Sequence, residues 1–96
     1  MISSREAVRT LPDVELDRAV ESLHRHGFHA HDEHDDRRVM KKPGLRFAFK
    51  AHQRPMEAVL VPRGGELRLE LRYDVFVAFD TGDLEAQADR LAKAIA

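Results

Sequence analysis

Apolar positions along this chain keep a helical spacing at both ends and a spacing of two in between. Leu16, Ala19, Val20 and Leu23 form one stripe, with Asp17, Glu21 and Arg25 on the opposite side, as an amphipathic helix requires. Thr10-Leu11-Pro12-Asp13 carries a hydroxyl cap, a proline whose missing N–H costs nothing in a first turn, and a carboxylate suited to the positive helix end. The helix is therefore expected to begin near Pro12, and Gly27 supplies its stop. Residues 1–9 read as a short helical turn or a loose arm. Near the far end, Asp80-Thr81-Gly82-Asp83 caps a second helix whose buried stripe is Leu84, Ala88, Leu91, Ala92 and Ile95.

Between the helices, turn chemistry cuts the chain into strands. Residues 28–33 and 37–41 flank a polar turn containing Asp35 and Asp36, and Lys42-Pro43-Gly44-Leu45 places proline and glycine as a type II turn wants them. Leu45, Phe47, Phe49 and Ala51 alternate with Arg46, Ala48, Lys50 and His52, the pattern of a half-buried strand. Gln53-Arg54-Pro55 turns the chain, residues 56–61 run back, and Arg63-Gly64-Gly65-Glu66 is a hairpin signal. From Leu67 to Phe79 every odd position is apolar, with no glycine or proline in residues 66–80. Fully extended, that segment reaches about 50 Å, far beyond an ordinary strand. It must bend, break around Tyr73-Asp74, or project to pair with another copy.

The order predicted is α-β-β-β-β-β-α: an α+β fold in which an antiparallel meander of five strands is flanked by an N-terminal and a C-terminal helix packed on one face. Ninety-six residues fit a single domain spanning 1–96. No run approaches the roughly 18 apolar residues of a membrane helix, and Met-Ile-Ser-Ser-Arg-Glu lacks the start of a secretory signal, so a cytoplasmic protein is expected. The absence of cysteine removes thiolate chemistry, disulfides and Cys-based zinc sites.

Charge changes the picture more than composition does. The charged fraction is 34% and the net charge −1, but residues 1–36 hold 4 basic and 9 acidic side chains, residues 37–72 hold 10 and 3, and residues 73–96 hold 2 and 5. Basic strands lie between acidic helical ends. Arg46, Lys50, Arg68 and Arg72 are expected on the open sheet face, where they could attract nucleic acid or another polyanion. Glu57, Glu66 and Glu70 interrupt that face, which also lacks clustered aromatics for stacking bases; the competing expectation is a solvated face of cross-strand Arg–Glu pairs.

Five of the six histidines lie between His24 and His34. On a regular strand His29, His31 and Glu33 share one face, with His34 in the adjoining turn, so His29, His31 and His34 are candidate ligands for zinc, nickel or copper. The alternative is that His24 and His26 complement the negative end of the first helix while the others face solvent. Enzymatic signals are weak. Ser22 and His26 at i, i+4 lack a third group and an oxyanion site, Gly64-Gly65 lacks the length and lysine of a phosphate loop, and Asp32, Glu33, Asp35 and Asp36 sit in an exposed turn. The leading expectation is a non-enzymatic interaction domain, homodimeric or bound to a protein partner, using the open sheet face or the long fifth strand, with Tyr73 and Phe76 as self-association residues. Metal binding and polyanion binding are the alternatives.

Overall fold

Residues 6–44, 54–74 and 82–96 are described in the computed structural model. They form a five-stranded antiparallel sheet and two helices in the order β1 (Glu6–Pro12), α1 (Leu16–Arg25), β2 (His29–His34), β3 (Arg37–Lys42), β4 (Met56–Arg63), β5 (Glu66–Tyr73) and α2 (Asp83–Ile95). The spatial order is β1-β5-β4-β3-β2, so β2 to β5 form the meander and β1 adds to its β5 edge. The α+β class, a five-stranded antiparallel sheet and two helices are as the pattern predicts, but the described order is β-α-β-β-β-β-α, and four of the five described strands are those expected.

One element differs. Residues 6–12 form a strand, and the first helix begins at Leu16 rather than near Pro12. Ala7 and Leu11 are buried beneath the helices while Glu6, Val8 and Thr10 point the other way, a two-residue period too short to stand out in the sequence. Pro12 suits a helix start and the end of an edge strand equally, because neither needs its missing N–H. Asp13, at φ +55°, turns the chain, and its N–H donates to the Gly65 carbonyl at 3.2 Å. The strand expected at residues 45–51 lies outside the described residues.

The helices cover one face of the sheet. Ala7, Leu11, Met40, Met56, Ala58, Leu60, Leu67, Leu69 and Leu71 supply its buried positions, and Ala19, Leu23, Leu84, Ala88, Leu91 and Ile95 pack down from the helices. Each large side chain so buried contributes about 1.5–3 kcal/mol. The Arg9 guanidinium clamps β1 to α2, reaching Asp89 at 2.7 Å and Glu85 at 2.5 Å. The β4–β5 hairpin closes at Arg63↔Glu66, and of its two glycines Gly64 has the positive φ, +60°, as in a type II′ turn. Pro62 is tolerated in β4 because the pairing with β3 has already ended at Leu60.

Strand β5 pairs as far as Tyr73, and at Asp74 the chain bends, its N–H donating to the Pro55 carbonyl at 2.8 Å. Residues 75–81, with Phe76, lie outside the described part.

Candidate functional site

The sheet face away from the helices carries the densest set of interacting side chains among the described residues. Cross-strand register fixes its rows, because residues directly opposite one another share a face. One row reads His29, Lys41, Glu57, Arg72, Glu6 across β2, β3, β4, β5 and β1, and the next reads Asp32, Val39, Val59, Glu70, Val8. Beyond it, Val61, Arg68 and Thr10 lie opposite one another.

Charges in these rows alternate and pair. Arg72 reaches Glu57 at 3.9 Å and Glu6 at 4.0 Å, and Lys41 reaches Asp74 at 3.3 Å. Glu70 lies between Arg68 at 2.9 Å and Arg37 at 3.9 Å, and its side chain is only 14% exposed. Val59, centred among these groups, is fully buried although it is no part of the core beneath the helices. Val8, Val39 and Val61 are half-buried around it. The face is therefore an apolar strip roofed by the long stems of neutralised ion pairs.

This arrangement answers the basic-face expectation in part. Arg68 and Arg72 are there, each engaged with glutamates of the same face. Arg46 and Lys50 lie outside the described residues. Tyr73 is at the end of β5, half-buried against the core, with the Arg54 guanidinium 5.3 Å from its ring centroid.

The histidines occupy three places. A bulge between Ala30 and Asp32 takes His31 out of the β2–β3 ladder and reverses the phase beyond it. As a result His29, Asp32 and His34 share a face, and Glu33 lies on the other, in contrast to the regular strand expected. His29 and His31 border an open groove of about 340 Å³ with Lys41, Pro43, Pro55 and Asp74. His34 sits at the opposite end of β2, 3.8 Å from Asp35. No group of three or more potential metal ligands is gathered among the described residues.

At the helix end, His24 and His26 contact the carbonyls of Phe28 and Ser22 through Nδ1, at 3.2 and 2.8 Å. A carbonyl can only accept, so Nδ1 carries the hydrogen in both rings. The His24 ring also meets His29 edge-on at 5.4 Å between centroids, a contact across elements that spacing alone does not reveal. The valine strip was likewise missed. Its signal is the unbroken apolar run Ala58-Val59-Leu60-Val61, which marks a strand covered on both faces. No protein-family model, curated protein or solved structure matches this chain.

Proposed function

We propose that this chain is a small non-enzymatic interaction domain that pairs with a second copy of itself through the sheet face opposite the helices. The observation that carries the reading is the sign pattern of the row Lys41, Glu57, Arg72, Glu6, positive, negative, positive, negative on four adjacent strands. A two-fold axis parallel to the strands and midway between β4 and β5 reverses that row. Lys41 then faces Glu6 of the other copy and Glu57 faces Arg72, so opposite charges meet at every position. A two-fold interface must be self-complementary in this way.

Two further features support it. The Arg72 pairs within one chain are long, at 3.9 and 4.0 Å, so the guanidinium gains by sharing its carboxylates with a partner. The strip of Val8, Val39, Val59 and Val61 supplies apolar area to bury between stacked sheets, which pack about 10 Å apart.

Light scattering over a concentration series tests the reading. The expected mass is twice the 11.0 kDa of the chain, shifting toward a single chain as salt is raised. A single-chain mass held up to high micromolar concentration at low salt would sink it.

A further inference from the structure

A second feature, on the opposite side of the molecule, is a cleft of about 280 Å³ where α2 passes the end of α1 and the adjoining ends of β3 and β4. Its floor is apolar: Phe28, Met56 and Leu91 line it, each 4% exposed or less. Its lining also carries the cations Lys42 and Arg90, with His26 beside them, and among the described residues no carboxylate lines it. Gln87, one turn before Leu91 on α2, adds an amide.

The cations are placed by the fold and left unspent by it. Gly27, at φ +91°, ends α1 without a side chain, and the stem of Lys42 runs across that gap, its carbons 3.6–3.8 Å from where a Cβ would stand. Among the described residues neither the Lys42 nor the Arg90 side chain has an ion-pair or hydrogen-bond partner, whereas the far face of the sheet is crowded with such pairs.

We propose that this cleft binds a small organic carboxylate whose apolar body is about the size of one aromatic ring. An apolar pocket with a few convergent polar groups is the ordinary form of a small-molecule site. The volume equals that of about nine liquid waters, enough for such a body. Arg90 presents the planar fork that matches a carboxylate, Lys42 adds a point charge, and Phe28, Met56 and Leu91 receive the ring. A polyphosphate or nucleotide does not suit it, since the floor offers no polar partner for further charge. The site shares no residue with the self-association face and does not depend on it.

Titration of the ¹⁵N-labelled full chain with benzoate, followed by amide shifts, tests the proposal, with benzyl alcohol as the uncharged body of the same shape. Saturable shifts centred on the Lys42, Leu91 and Phe28 amides are expected, with benzyl alcohol at least about tenfold weaker, the size of one lost charge-assisted pair. Arg90→Ala and Lys42→Ala should each weaken benzoate at least about tenfold without changing the melting temperature; Arg90 is exposed and its replacement leaves the core untouched. Absence of saturable shifts up to about 10 mM benzoate, equal binding of the alcohol, or unchanged affinity in the Arg90 variant would each overturn it.

Discussion

Two residues hold single-handed positions in this fold. Arg9 joins the edge strand to α2 through Asp89 and Glu85, and their hydrogen bonds, Asp89's first, raise the guanidinium above its ordinary pKa. A cation bound more tightly in the folded state contributes stability that is fully present below the unfolded pKa and fades only as pH rises through the raised one. The clamp therefore holds throughout neutral and mildly alkaline solution, and salt is its weakness. Arg9→Ala should cost about 1 kcal/mol in urea unfolding, the upper end for an exposed pair because two carboxylates lose their partner, and the loss should shrink in high salt. Gly27 is the other. Gly27→Ala at φ +91° should destabilise by about 1 kcal/mol, whereas Gly65→Ala, which has open space and no positive φ, should stay within about 0.5 kcal/mol of the parent. Equal effects of the two glycine substitutions would show that the backbone conformation at Gly27 carries no special cost.

Among elements, the β4–β5 hairpin is the centre of the sheet, and its alternation made it legible: Leu67, Leu69 and Leu71 point to the helices and Arg68, Glu70 and Arg72 away. The same periodicity argument failed at β1, where Ala7, Arg9 and Leu11 give too few apolar repeats, and Arg9 occupies a core-facing edge position because α2 offers it carboxylates. It failed again at β2, because a bulge is a tertiary accommodation that slips the phase without leaving a glycine or proline behind. The candidate face was legible as to its charges, since Arg68 and Arg72 alternate along one strand. Glu57 was expected on the same face, but Glu6 and Arg37 were not placed against these arginines, because they come from strands whose register only pairing sets. The cleft near Lys42 was not legible at all, being formed by one helix passing the ends of elements distant in sequence. If the hairpin centres the core, Leu69→Ala should cost about 3 kcal/mol, the usual loss for a fully buried leucine, and lower the urea midpoint with little change in slope. A loss below about 1 kcal/mol would mean the site collapses around the void.

At the scale of the whole molecule, charge is sorted by side. On the helix side Lys42 and Arg90, without side-chain partners among the described residues, border an apolar cleft, and the far side of the sheet holds a row whose charges alternate. Alternation over an even number of strands makes the second side a surface that can meet its own copy, and this has a consequence that mere loss of a contact does not. Arg72→Glu turns the row into positive, negative, negative, negative, so the two-fold axis sets Glu57 against the introduced glutamate of the other copy. The variant should be a single chain at concentrations where the parent is a dimer. Adding Glu57→Arg restores opposite signs at every crossing, because Lys41 still faces Glu6 and the exchanged pair face each other reversed. The double variant should regain dimer mass, although each single change weakens it. Surface pairs of this kind contribute about 1 kcal/mol or less each. The Glu57–Arg72 crossing occurs twice in a dimer, and the two together are enough to move the dissociation constant by one to two orders of magnitude, within reach of sedimentation equilibrium. If the double variant remained a single chain while its melting temperature matched the parent's, the face would be held together by its internal pairs and the copies would not meet there.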